Sequence, residues 1–424
     1  MKKLFAVLLA VLMMFSLVAC GGNENAGSTE ATGKVYYLNF KPEADEAWQK
    51  LAADYTAETG VEVKVVTAAS GTYDTTLQNE MGKSDGPTMF QVGNAGAVST
   101  YGDYCYNLQG TDVYNEMTTH AFDQANGDMT YSIGYCYECF GIIVNKALLK
   151  EAGHDISEIT NFETLKAVAE DIHARANELG FDAFTNAGLA DSSSWRFSGH
   201  LATVPLYYEG VNSKTEIKGT YLNEYKNIWD LYINNSATDK VANNTAGDEA
   251  EAEFGTGKAV FYQNGSWEYD SLTGDNYGMN ADDLQMIPLY CGHDGEEKAG
   301  LASGTENCWA VNNTSSEADI KATLDFMKWV VTSDKGTTMM AEQFGPCPFK
   351  SAKEPKNVFF AQANALLAAG NYNMDWAFNY TPAVDDFRAG LVTALKDYAV
   401  NNDWTVVEDA FVKGWNTLLA QEAE

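Results

Sequence analysis

Positive charge is scarce in this chain. Of its 424 residues only 27 are Lys or Arg, against 59 Asp or Glu, for a formal net charge of -32. A surface of that sign repels phosphate backbones, which argues against nucleic acid as a partner. Long apolar runs are scarce too. Beyond the first residues no segment approaches the roughly 20 apolar residues that a bilayer crossing needs. Histidine is limited to His120, His154, His173, His200 and His293. None stands in a His-Glu-x-x-His or other paired metal-ligand spacing, and His200 reads as structural. There is no Gly-x-Ser-x-Gly elbow and no EF-hand spacing. Gly255-Thr256-Gly257-Lys258 is followed by Ala259, where a phosphate loop would carry Ser or Thr, so it reads as a turn. With no legible nucleophile, metal set or acid–base constellation, the chain is expected to bind rather than catalyse, and to use no metal or cofactor.

What is present begins at Met1. Lys2 and Lys3 precede an apolar run from Leu4 to Phe15, then Leu17-Val18-Ala19-Cys20. Basic start, apolar middle and small residue before a cut form the layout of a secretory signal. The tetrad LVAC resembles the lipobox of bacterial lipoproteins, in which the cysteine is acylated. The expectation is a lipoprotein signal peptide at 1–19, lipidation at Cys20, and a flexible Gly/Ser/Thr/Asn tether at 20–33. The folded part would then sit outside the cytoplasmic membrane, held to it by lipid as a cell-surface lipoprotein.

About 390 residues remain to fold, more than one hydrophobic core usually serves, so two lobes are expected. Six cysteines follow Cys20. They allow fifteen pairings, and both buried thiols and disulfides stay open. Cys136-x-x-Cys139 lacks a second close pair to complete a zinc site.

The periodicity predicts a strand over Lys34–Phe40 and a helix with Ala44, Trp48, Leu51, Ala52 and Tyr55 on one face, stopped at Gly60. Strands follow around Val61–Val65 and Thr88–Val92, with a helix from Ala97 to Tyr104. This strand–helix–strand rhythm argues for α/β lobes with largely parallel sheets. The run YCYECFGIIV, ending at Asn145-Lys146, reads as strand. Thr160-x-x-Glu163 has the form of a capping box. Further on, Tyr221–Ile233 reads as helix, Phe254–Phe261 as a turn and strand, and Met286–Tyr290 and Cys308–Asn312 as strands. Ser316 opens a helix, and the C-terminal segment is helical, with Val384, Phe387, Leu391, Leu395 and Tyr398 in one stripe.

In this order the segments SDGPTMFQV, ECFGIIVNKALLKEAG, TNFETLKAVAEDI, FGTGKAVFYQNGSWEYD and GTENCWAVNNTSSEADIKATLDFMKWVVTSDKG resemble the extracellular solute-binding proteins of ABC importers, of the carbohydrate, maltose-binding-protein-like type. The likeness runs from Lys34 to the C-terminus. It departs from the family pattern after the first strand, where Phe40-Lys41-Pro42-Glu43 stands in place of the usual acidic–basic pair. The resemblance implies a two-lobed periplasmic-binding-protein fold of type II, each lobe a mainly parallel sheet flanked by helices. Lobe 1 would comprise 34–140 and 304–342, and lobe 2 would comprise 141–303 and 343–424. It further implies a monomer that captures a sugar or oligosaccharide between the lobes and delivers it to an ABC permease. A cationic or peptide ligand on the same fold, or a surface hydrolase or adhesin, are the alternatives.

The candidate ligand residues follow from residue type and place. Trp267, after Gly265-Ser266 at a strand end, occupies the family's stacking position. Trp195 stands in a polar loop. Glu138 is a lone acid among apolar neighbours and needs a partner, either a sugar hydroxyl or a cation. Asn94 sits in the VGNAG loop, Phe40 and Glu43 follow the first strand, and Trp376, Tyr380 and Phe387 form a C-terminal aromatic stretch. Aromatic faces suit the apolar faces of sugar rings.

The anchor generates a first expectation. Cys20→Ser should abolish lipidation and release the protein from the membrane fraction, since a chain without its lipid has little to hold it. Retention at the wild-type level, read by fractionation and immunoblot, would overturn the lipoprotein assignment.

Overall fold

A computed structural model describes residues 32–190, 193–238 and 249–422. The expected signal peptide, Cys20 and nearly all of the tether lie outside the described residues. Twelve strands are described: β1 (Val35–Asn39), β2 (Val63–Thr67), β3 (Met89–Gln91), β4 (Gln124–Asn126), β5 (Met129–Gly134), β6 (Glu138–Asn145), β7 (Asp182–Phe184), β8 (Ala259–Gly265), β9 (Leu284–Ile287), β10 (Ala299–Gly304), β11 (Cys308–Val311) and β12 (Tyr372–Asp375). They form two sheets flanked by helices. The first has the order β2-β1-β3-β11-β5-β4; the second has the order β12-β10-β6-β8-β7, with β9 also paired to β6.

The sheets are mixed where mainly parallel ones were expected. Pairing is parallel for β1 with β2 and β3, for β7 with β8, and for β10 with β12. It is antiparallel along β11 and β6. The reason is the way the chain changes sheets. Only Tyr135–Tyr137 separate β5 from β6, and only Thr305–Asn307 separate β10 from β11. Each link carries the chain across to the other sheet, and the strand that enters, β6 in the second sheet and β11 in the first, runs against the strands beside it.

Local sequence explains the elements that position the site. All eight residues of β6 are buried, as a strand covered on both faces requires, and hence it reads as a continuous run rather than an alternation. The helix Asp45–Thr59 buries Trp48, Leu51, Ala52 and Tyr55 and ends at Gly60 with φ 77°, the left-handed cap that glycine adopts without strain. Ser316 caps Glu317–Thr332, its side chain accepting from the Asp319 N–H.

Three expectations shift. The cap of the helix Phe162–Ala174 is not Thr160 with Glu163 but Asn161 with Thr164: Asn161 Oδ1 accepts from the Thr164 N–H at 3.0 Å, and Thr164 Oγ1 accepts from the Asn161 N–H at 3.1 Å. The later start lets Phe162 be both buried and a donor to Glu296 (2.6 Å). The segment Phe254–Phe261 begins inside a helix, Glu249–Gly255, and its foreseen turn follows at Thr256–Gly257 before β8. Cys136 lies in the link before β6 rather than on a strand. All six cysteines among the described residues are free thiols.

Each sheet has its own core. In the first, Trp48 packs edge-on to Tyr37 and Trp309, and Tyr135 stacks on Trp309 at 4.3 Å. In the second, the helices Val384–Asn401 and Thr405–Glu422 meet through Phe387, Phe411 and Trp415. No helix among the described residues is long and apolar enough to cross a membrane.

Glu296 ties this second core together. Its buried carboxylate accepts backbone N–H groups of Phe162 (2.6 Å), Cys291 (2.6 Å) and Gly292 (2.8 Å). Glu296→Gln replaces one acceptor oxygen by a donor facing an N–H. It should lower the unfolding free energy by about 1–3 kcal/mol, read by urea denaturation, while Glu297→Gln on the exposed side leaves it unchanged.

Candidate functional site

A cleft of about 240 Å³ opens where the two sheets face each other. Loops after β1, β2 and β3 line one side. The segments Trp195–His200, Trp267 and Trp376–Phe378, with the start of Val384–Asn401, line the other.

The second side is aromatic. Trp267 follows β8 and lies back over Gly265, where a Cβ would stand 2.2 Å from the indole ring. Trp376 follows β12 and lies over Gly304 in the same way, at 2.8 Å. Glycine is needed at both places because only bare backbone leaves room for the ring. His200 sits among the rings: its centroid is 4.8 Å from Trp195, 5.2 Å from Trp267 and 4.2 Å from Phe140, on which it stacks. Burial and the nearby Arg388, Arg196 and Lys41 charges hold His200 well below the usual imidazole range, hence neutral. The π-helical segment Arg196–Leu201 that carries it is fastened by Arg196, whose buried guanidinium donates to the carbonyls of Asn186, Ala187 and Gln263.

The floor is ionic. Lys41 Nζ lies 2.7 Å from Glu138 and 2.9 Å from Glu43, and 5.4 Å from the Trp267 ring centroid. Glu138 also accepts from Asn307 Nδ2 at 2.7 Å. Burial alone would discharge the Lys41 ammonium, but the two carboxylates outweigh it and raise its pKa. Lys41 and Glu43, in the segment that stands in place of the family's usual acidic–basic pair, thus form an ion pair of their own.

A second charged group lies at the rim. Asn94 caps the helix Ala95–Tyr101 through the Ala97 N–H and donates to Glu306 at 3.1 Å. Loss of bulk water raises the Glu306 carboxyl, with the Asn94 contact opposing. Asp74 lies near Asp385, and desolvation together with that second carboxylate pushes it up to about 6. Arg388 lies 3.8 Å from Asp385. Four polar atoms of lining residues have no hydrogen-bond partner among the described residues: Gln91 Oε1, His200 Nδ1, Trp376 Nε1 and Arg388 Nε. A buried polar atom left unpaired is costly, so the cleft is suited to a polar ligand that supplies both donors and acceptors.

Of the residues singled out by sequence, Phe40, Glu43, Asn94, Glu138, Trp195, Trp267 and Trp376 are brought together here. Two are not. Phe387 is only 3% exposed and packs edge-on against Phe411 and Trp415, as its place in the apolar stripe required. Tyr380 packs at the edge of the same core. Sequence reasoning passed over Lys41, Asp74, Gln91, Glu306, Phe378, Asp385 and Arg388, and took His200 as structural although it lines the cleft. Only Lys41 carried a signal, since its side chain stands between Phe40 and Glu43 after a fully buried strand.

Residues 50–369 match the family model for bacterial extracellular solute-binding proteins. The chain belongs to that family. Among solved structures it is similar to the solute-binding protein RafE in complex with raffinose, with TM-score 0.71 and 16% identity over 92% of this chain and 100% of that one. It is also similar to the GacH receptor of Streptomyces glaucescens, studied unliganded and with acarbose (TM-score 0.66, 17% identity, 92% and 99% covered). A third is a binding protein of an ABC transporter from Bifidobacterium animalis subsp. lactis in complex with mannobiose (0.65, 17%, 92% and 95%). Likeness at this identity establishes the fold. No curated protein matches the chain in sequence.

The buried ion pair sets a test of the floor. Lys41→Met leaves Glu138 charged, buried and held by Asn307 alone, and should cost about 3–5 kcal/mol of stability. Adding Glu138→Gln should restore much of the loss. Urea denaturation of the single and double variants measures both, and a double variant no more stable than the single would refute the pairing.

Proposed function

We propose that this protein is a lipid-anchored receptor that captures a sugar or oligosaccharide in the cleft and delivers it to an ABC permease. One observation carries the reading: a wall of indole rings faces a wall of carboxylates and amides across a single cleft. Pyranose rings have the same division, with C–H faces that suit aromatic rings and hydroxyl edges that exchange hydrogen bonds with carboxylates and amides. The four unpaired polar atoms among the lining residues support it, since hydroxyls donate and accept alike. So do relatives of the same fold whose structures hold raffinose and mannobiose, and one described as a chitin oligosaccharide binding protein. In this reading Trp267, Trp195 and Trp376 stack on the ligand, while Phe40, Glu43, Asn94 and Glu138 border it. The lobes, each built on one sheet, close as a monomer by bending at Tyr135–Tyr137 and Thr305–Asn307, a hinge motion. Lipid on Cys20 would keep the receptor beside its permease.

A ligand that binds only the folded state raises its melting temperature by mass action. A panel of mono- and oligosaccharides should therefore contain at least one that shifts the melt, and Trp267→Ala should weaken that ligand about tenfold or more by calorimetric titration. The unliganded variant should lose less than the roughly 3–5 kcal/mol that deleting a core tryptophan costs. A panel without any shift overturns the sugar reading, and a large stability loss with unchanged affinity assigns Trp267 to the core.

A further inference from the structure

The charged groups around the cleft are unequal in number. Glu43, Asp74, Glu138, Glu306 and Asp385 face it, against Lys41 and Arg388. Lys41 is spent: it lies within 2.9 Å of two carboxylates and is nine-tenths buried, so it has no charge to offer a ligand. His200 is neutral. At the rim, one guanidinium serves three acids, with Arg388 beside Asp385 and near Glu306 and Asp74. The uncompensated charge is therefore negative, and it sits where a ligand must pass. A second, independent feature shows that the cleft is built for a polar guest. Gln91, His200 and Trp376 are each more than nine-tenths buried, line the cleft, and carry polar atoms without partners among the described residues.

Building on the sugar-receptor reading, we propose that the cleft selects its ligand by charge, taking uncharged and amino-bearing sugars and rejecting acidic ones, with Asp74, Glu306 and Asp385 as the specificity-determining side chains. A neutral sugar meets carboxylates as hydroxyl donors. An amine adds an ion pair to an acid-rich rim. A uronate or sulfate brings like charge to a cleft where five carboxylates outnumber Lys41 and Arg388, and Arg388 is already shared among three of them. Lys41 cannot turn toward such a ligand without leaving Glu138 unpaired.

The test needs a pair of ligands that differ in charge alone. The neutral oligosaccharide giving the largest melting shift in the panel is converted, at a primary alcohol that tolerates a carboxamide, into the C6-carboxamide and the isosteric C6-carboxylate. Titration at pH 7.5 should show the carboxylate binding at least about tenfold more weakly than the carboxamide. In Asp74→Asn/Asp385→Asn that gap should shrink at least about threefold, whatever the change in carboxamide affinity itself. Both side chains lie at the solvent edge of the cleft, and circular dichroism with unaided melting confirms that the variant folds. The single variants serve if the double one does not. Equal affinities in the wild type, or a gap that the variants leave intact, overturn the charge filter while the sugar reading stands. A panel in which no sugar of any charge binds overturns the sugar reading and this inference with it.

Discussion

Everything at the cleft depends on one buried carboxylate. Glu138 begins β6 immediately after the chain leaves the first sheet, accepts from Asn307 on the returning link, and is neutralised by Lys41 from the loop after β1. An acid placed there without a cation would be expensive enough to shift or unfold the strand. With Lys41 and Asn307 in place, the two links between the sheets and the loop that borders the cleft share a single fixed point. The aromatic wall is referred to the same point, because Lys41 also lies near the Trp267 ring.

The two walls are made by different means. On the aromatic side, glycines bring rings against bare backbone, so that Trp267 and Trp376 are held by contact rather than by hydrogen bonds. Arg196 adds rigidity from behind by binding three carbonyls, which fixes the segment bearing Trp195 and His200. On the rim the groups are loosely compensated: Asp74 and Asp385 oppose each other, and Glu306 relies on Asn94. Such an arrangement sets rings held by packing beside a rim of polar groups that have fewer partners. Next to Trp267, burial together with Glu251 and Glu43 pushes Glu268 up to about 8, and its carboxyl accepts from Asn264 Nδ2 at 2.7 Å.

Legibility from sequence differed by element. Elements whose apolar spacing is uninterrupted were read nearly to the residue, as with Asp45–Thr59 and its glycine stop. The cap at Asn161 was missed by one position because the choice between neighbouring polar residues is made by Phe162, which must reach Glu296 more than a hundred residues away. The mixed pairing was missed because strand direction depends on which sheet a link enters, and no residue type reports that. At the site, the tryptophans and Glu138 were legible because an unusual residue stood in an informative place. Asp385 and Arg388 were not, because in sequence they read as the solvent face of a long helix, and Phe387 between them drew attention that belonged to its neighbours.

The sequence by itself determined the class of fold, the absence of a legible catalytic constellation, the acidic balance and the supply of indole rings, since these follow from composition, period and residue type. Only the tertiary structure decided which acids meet which cations, which rings share a cleft, and which aromatic residues serve the core instead. The physical reason is distance: Lys41 and Glu138 are 97 positions apart, and Asn307 is 169 from Glu138. Local propensity carries no information about a contact that forms only when two sheets are placed face to face.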